Sequence, residues 1–313
     1  MQETFRATLT PMLVMFLCMA LGFIARKKNL VPENAAEVLS KLENYFFVPA
    51  LILNTFMQYC TVASISQQYP LILYCTLVLA AAIALAFPLS RLFAKEAYQR
   101  SIYRYALSFA NFSFMGNAIV PAILGEEMLY QYMLYILPLN LAVYTWGIMT
   151  LIPRGEKKQS FLKNLCNPIF LSILLGAVLG LSGLSEQIPG FIRTTISSCS
   201  ACMGPLAMIL TGLVVGSYDF FSLLKNKKIY LATLLRLVVL PMLFIGFLLL
   251  LRADKLVLVL TLFAFGTPLG LNTVVFPAAY GGDTSTGASM AMISHTLCVV
   301  TIPLLYALLE VLV

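Results

Sequence analysis

Charge is what this 313-residue sequence has least of. Asp, Glu, Lys and Arg make up 11% of it, against about 25% in soluble domains. A soluble fold could not cover its surface from that supply, and the same scarcity excludes a disordered or coiled-coil chain. Histidine and tryptophan occur once each. All 13 acidic residues fall in loops or at the ends of apolar segments. Glu43, Asp283 and Glu310 come nearest the interior, so no buried carboxylate offers itself as a proton relay. No P-loop, HExxH or βαβ-type GxGxxG is present, which leaves ATP drive and dinucleotide chemistry without support. The seven cysteines form no framework spacing. Cys199-Ser-Ala-Cys202 lacks the second pair or nearby histidine that would complete four ligands, so neither metal nor cofactor is expected.

What is there in quantity is apolar: 60% of residues, with a mean hydropathy of +0.91. Charge-free runs cover 7–25, 44–90, 105–125, 128–153, 164–185, 194–218, 256–282 and 284–309, and Arg236 alone interrupts 229–251. The polar stretch from Thr61 to Pro70 splits 44–90 in two. Ten segments result, each long enough to cross a bilayer core of about 30 Å. In lipid every backbone amide needs a partner within its own segment, so the segments are expected to be helices. The fold class is therefore an all-α polytopic membrane protein with ten transmembrane helices.

Lys and Arg orient it. With the N-terminus outside, 15 of the 20 basic residues fall in inner loops, among them Arg26, Lys27, Lys28, Arg154, Lys157, Lys158, Lys225, Lys227 and Lys228. Outer segments hold only Arg6, Arg193, Arg252 and Lys255. Both termini are expected outside a cytoplasmic or inner membrane. The bias accounts for a net charge of +7 through anionic lipid, with no nucleic-acid partner. The first span, Thr8 to Ala25, is followed by Arg26-Lys27-Lys28 and carries no A-x-A site, so it reads as a retained span.

The chain also repeats itself. Asn117, Pro121, Ala122 and Gly125 match Asn272, Pro277, Ala278 and Gly281 half a chain later, and Pro49 matches Pro205 at the same offset. The expected organisation is a first five-helix repeat at 1–153, a cytosolic linker at 154–166 and a second repeat at 167–313. Five spans per half is an odd number, so the second copy inserts upside down, as in many secondary transporters. Pro121 and Pro277 are expected to break the fourth and ninth helices, while Asn111, Asn117, Asn272 and Thr273 place polar groups at membrane depth. Breaks there are tolerated only inside protein or beside a wet cavity. The two broken helices are expected to cross, and half-helix N-termini would suit a carboxylate.

Phe114-Met-Gly-Asn117 with Pro121 and Gly125-Glu-Glu127, Asn167-Pro168, Gly204-Pro-Leu-Ala207, and Asn272 to Asp283 with its Tyr280-Gly-Gly together resemble the auxin efflux carrier family in its short bacterial form, the malonate or organic-acid permeases. The resemblance spans nearly the whole chain. It implies the bile-acid-symporter fold, a scaffold and a transport domain, elevator-type alternating access and a small organic anion as substrate. On that analogy Asn117 and Asn272 contact substrate beside Pro121 and Pro277. The long cytosolic loop of the plant members is absent, since the middle linker is only Pro153 to Cys166.

Coupling is left open. A monovalent anion leaving the cell gains about 2.3 kcal/mol per 100 mV, which favours efflux. A sodium- or proton-coupled symporter, or a non-transporting receptor or scaffold, remains the alternative, and a homodimer is left open. Arg236 either snorkels to the inner surface or offsets substrate or half-helix charge. His295 either packs by an interhelical hydrogen bond or handles a proton. Gly180-Leu-Ser-Gly183 matches an intramembrane serine-protease motif, but Ser182 is expected near the outer surface and His295 at mid-bilayer, so no enzyme is expected. Gly176-x-x-x-Gly180 and Gly212-x-x-x-Gly216 read as close-packing helix faces.

Overall fold

A computed structural model describes residues 2–153, 167–279 and 282–313. Among these the chain is helical, with no strand beyond one isolated bridge. In order, the helices are α1 (Gln2–Lys27), α2 (Ala35–Leu42, Glu43–Phe47 and Val48–Tyr59 run together), α3 (Val62–Phe93), α4 (Ala97–Ser108), α5 (Phe112–Leu124), α6 (Glu126–Tyr135) and α7 (Leu137–Leu151). Beyond the linker come α8 (Pro168–Ser182), α9 (Gly190–Gly216), α10 (Phe220–Leu224), α11 (Lys227–Leu250), α12 (Lys255–Phe265), α13 (Asn272–Ala279) and α14 (Ser285–Leu312).

Among the described residues α1, α3, α9, α11 and α14 are long and apolar enough to cross a membrane. The pair α6 and α7, bent by 48° at Ile136, also passes when read as one span. The outward faces are apolar: Leu17 and Leu21 on α1 are 61% exposed, and Leu174 on α8 is 64% exposed. Continuous apolar surface of this kind is the signature of a lipid-facing wall.

Local sequence sets the helix starts. Thr61 and Ser64 exchange side-chain and backbone bonds in a capping box that opens α3. Asn167 Oδ1 accepts from the amides of Ile169 and Phe170, with Pro168 at the first helical position of α8. Asp283 accepts from the amide and hydroxyl of Ser285 and the hydroxyl of Thr286 at the head of α14. Two widened π turns, Glu43–Phe47 and Leu235–Val239, sit one turn before Pro49 and Pro241. An α-helical proline would strike the carbonyl four residues back, and the widened turn relieves that clash.

The glycine pairs are packing faces, as their spacing indicated. A Cβ on Gly176 would lie 2.7 Å from Phe56 Cβ, and one on Gly180 2.6 Å from the Cys60 carbonyl, so α8 meets α2 backbone to backbone. Gly212 meets the Met19 carbonyl and the Phe23 amide of α1, and Gly216 lies against Arg26. These contacts hold α1, α2, α8 and α9 together as one layer. The other helices pack as a second body, with α14 and α5 laid against α1.

Two helical passages are interrupted, and the positions correct the sequence expectation. Pro121 and Pro277 lie inside α5 and α13 without ending them. The breaks come earlier, at 109–111 between α4 and α5 and at 266–271 between α12 and α13. The second has a local cause in Gly266, Pro268 and Gly270, since a proline disfavours the helical conformation of the residue before it. The first has none. There the Asn111 amide donates to the Pro268 carbonyl at 2.7 Å, and Ala110 bridges Leu269 in antiparallel fashion. Each break thus supplies backbone partners that the other lost.

Candidate functional site: an amide-lined cavity at the paired breaks

A cavity of about 590 Å³ opens where the two breaks meet the α2–α8–α9 layer. Asn111, Ser113 and Asn272 come from the breaks and the helix starts after them, Asn140 and Tyr144 from α7, and Ser40, Asn44 and Asn167 from the facing layer. Among the described residues that line it, none is charged. Five asparagines are instead gathered around one space. Three helices also begin here, α5 at Phe112, α8 at Pro168 and α13 at Asn272, and first-turn residues of each face the cavity. Each N-terminus carries roughly half a positive charge, so positive helix ends face the space without a cation beside it.

A second cavity of about 510 Å³ shares Ser40, Leu210 and Val275 with the first and reaches Glu37, Lys41, Ser217 and Tyr218. At that end Lys27 donates to the Tyr218 carbonyl at 2.6 Å and Arg26 to Ser217 at 3.1 Å. The combined space therefore leads from the breaks toward a basic rim.

Of the residues singled out from sequence, Asn111 and Asn272 line the cavity. Asn272 donates to the hydroxyl of buried Tyr105 at 2.8 Å. Thr273 stands behind the wall, its hydroxyl bonded to the Gly270 carbonyl at 2.9 Å. Asn117 does not line the cavity: it is buried, its Oδ1 has no partner among the described residues, and the adjoining Ala118 lies against Gly204 of α9. Pro121 and Pro277 are likewise off the lining. His295 lies behind Asn111, with Nε2 3.0 Å from Asn111 Nδ2 and Nδ1 2.7 Å from the Ala291 carbonyl.

Arg236 does not snorkel. It is fully buried, its Nη1 donates to the Leu107 carbonyl at 3.1 Å, and its guanidinium lies 5.7 Å from the centre of the Phe265 ring. Leu107 belongs to the last turn of α4, where unpaired carbonyls make a negative helix end. Arg236 offsets that end and steadies the first break. Ser182 spends its hydroxyl on the Val178 carbonyl at the exposed end of α8, nowhere near buried His295.

The expectation that no carboxylate is buried fails at Glu43. Its side chain is fully buried and, among the described residues, neither oxygen has a partner. An ionised carboxylate without a counter-charge would cost several kcal/mol there. None is at hand. The packed faces of α8 and α9 carry no charge apart from Arg193 near the start of α9, and Glu37 pairs with Lys41 at 2.7 Å. Glu43 is therefore held as a neutral acid, and Glu43→Gln should change stability by less than about 0.5 kcal/mol. Thermal unfolding in detergent at pH 7 checks this; a loss of about 2 kcal/mol or more would mean an ionised, paired group. Asn44, Asn140 and Tyr144 were also missed, although an asparagine inside an apolar span is a usable signal.

A family model described as membrane transport protein matches residues 7–306. The chain belongs to that family, the auxin efflux carriers. It is a multi-pass membrane transporter and not an enzyme. No curated protein matches the chain as a relative.

Proposed function

We propose that this transporter carries a small organic anion, a carboxylate, by elevator-type alternating access. The observation that carries the reading is the cavity itself: three helix N-termini and five asparagine amides converge on a space with no charged lining among the described residues. A cation would find no carboxylate there, and an apolar solute would leave the three helix N-termini without a counter-charge. A carboxylate supplies the counter-charge that the helix ends lack.

The same reading takes the chain as ten passes in two inverted halves, 1–153 and 167–313, joined by the linker. Support comes from the two breaks, which pair with each other and precede helices starting at Phe112 and Asn272. Contacts between helix ends also sort as alternating passes require. Lys27 with Tyr218, Lys228 with Phe93 and Tyr98 with Leu151 join ends that would share the inner face. Ser64 with Tyr130 and Lys255 with Glu310 join ends that would share the outer one. The basic rim at the cavity mouth then faces the cytoplasm, with the carrier open inward and both termini outside. The α1–α2–α8–α9 layer would serve as scaffold and the other body as the moving part.

Stability of the purified protein against a panel of mono- and dicarboxylates tests the substrate class. A true ligand at 100 times its dissociation constant should stabilise by about 2.7 kcal/mol. Stabilisation by amino acids or cations, with none by carboxylates, would overturn the reading.

A further inference from the structure

The ring of His295 makes two hydrogen bonds, and together they dictate its chemistry. Nδ1 faces the Ala291 carbonyl, which can only accept, so Nδ1 carries the hydrogen. Nε2 is then a bare acceptor, and Asn111 must turn its NH₂ toward it, as it does at 3.0 Å. Among the described residues Asn111 Oδ1 takes part in no hydrogen bond, and it belongs to a residue of the cavity wall. With the ring neutral, the wall therefore offers an acceptor at the one place where α5 begins. An anion wants a donor there.

We propose that His295 is the proton-coupling site of this carrier, taking a proton from cavity water on Nε2 when an anion is bound and turning over the Asn111 amide so that its NH₂ faces that anion. The step balances: the Nε2 lone pair accepts one proton, the ring becomes an imidazolium that donates from both nitrogens, and Asn111 Oδ1 replaces Nδ2 as its partner. The inference rests on the anion reading of the cavity.

The surroundings explain why the proton waits for the anion. Among the described residues no carboxylate faces the ring. On its own helix the Cys298 thiol turns to the His295 carbonyl at 3.1 Å and to Met115, and the Ser294 hydroxyl accepts from the Leu269 amide. The packed helices α5, α10 and α13 carry no charged residue. Charges on α1 stand at its two ends, and α12 has only Lys255, paired with Glu310. On α9 there is Arg193 near its start, with the thiols Cys199 and Cys202. On α4, Arg104 lies over the Phe87 ring, Arg100 is bonded to the carbonyls of Ala94 and Lys95, and Tyr105 is engaged by Asn272. On α11, Lys228 donates to the Phe93 carbonyl, and Arg236, the buried cation, is tied to the Leu107 carbonyl. Arg236 has the same sign as an imidazolium. Only an anion in the cavity adds the missing counter-charge, so proton and anion should bind as a pair.

A chain with one histidine and one tryptophan is suited to the test. Full-length protein carrying ¹⁵N-histidine, purified without a histidine tag, reports the ring's tautomer and charge by NMR. Fluorescence of Trp146, beside the wall residue Tyr144, reports binding of malonate and of methanesulfonate, which stays ionised throughout the pH range. In the empty carrier the neutral ring should carry its hydrogen on Nδ1. Saturating anion should convert it to imidazolium, and affinity should rise about tenfold per unit fall in pH, the slope of one linked proton. Asn111→Ala should still bind anion, more weakly, with that slope lost, and His295→Gln should bind with no pH dependence. An Nε2–H tautomer in the empty carrier, or anion bound with the ring still neutral, overturns the coupling site and leaves the anion reading standing. Failure of wild type to bind either anion or any carboxylate of the panel overturns both.

Discussion

Gly212→Leu should yield no folded, monodisperse transporter. A Cβ at that position meets the Met19 carbonyl and sits 2.6 Å from the Phe23 amide, both main-chain atoms of α1. Backbone cannot swing aside as a side chain can, so α1 and α9 must separate along their length. Gly22 makes the reciprocal contact, its Cβ meeting the Ile209 carbonyl of α9. Overpacking typically costs about 1–3 kcal/mol where side chains can rearrange. Here they cannot, and membrane helices associate largely through such close approach. A loss at or beyond the top of that range is a large part of a total stability of about 5–15 kcal/mol. Gly246→Leu is the control, because no atom lies within 4 Å of its Cβ and the position faces outward. Size-exclusion profiles and thermal unfolding of both variants check the prediction. Wild-type behaviour of Gly212→Leu would show that the α1–α9 seam is not part of the folded protein.

Asn272→Asp should weaken anion binding about a hundredfold while leaving the protein folded. The two side chains have the same shape, and the Tyr105 hydroxyl that now accepts from Asn272 can donate to a carboxylate instead. The local structure therefore keeps its hydrogen bond. What changes is charge at the head of α13. Two like charges about 5 Å apart repel by roughly 3 kcal/mol at an effective dielectric constant near 20, about two powers of ten in affinity. The dissociation constant read from ligand-dependent unfolding should rise by that factor and flux into liposomes at subsaturating substrate should fall by it, with an unchanged unfolding temperature in the absence of ligand. Undiminished carboxylate flux in Asn272→Asp would remove this wall from the binding site.

These expectations draw unequally on sequence and on fold. The gaps between charged clusters mark the apolar helices because burying charge in lipid is costly at any position along a span. The glycine faces were legible at four-residue spacing for a similar reason: only a missing Cβ lets two backbones touch. The repeated Asn–Pro–Ala–Gly pattern pointed to the two interrupted passages, yet it put the breaks at the prolines. Pro121 and Pro277 sit within helices, and the break at 109–111 has neither glycine nor proline to announce it. Its cause is the Pro268 carbonyl and the Ala110–Leu269 bridge, more than 150 positions away in the chain.

Glu43 shows the same limit. It stands at the edge of a charge-free run, where a carboxylate can equally face water or protein, and its packing against α8 and α9 decided for protein. Arg236 was open between surface and interior until the Leu107 carbonyl supplied a partner. His295 and Asn111 were each visible as polar residues at membrane depth, but nothing in the order of the residues joins positions 184 apart.

By itself the sequence determined that this chain lives in a membrane, where its apolar helices run, which faces pack tightly and that its two halves share a pattern. Those properties follow from composition and periodicity, which act locally. Tertiary structure alone decided where the helices open, which amides line the space between them and which buried groups keep a partner. Hydrogen bonds and counter-charges act over a few ångströms, and only folding brings distant parts of the chain that close.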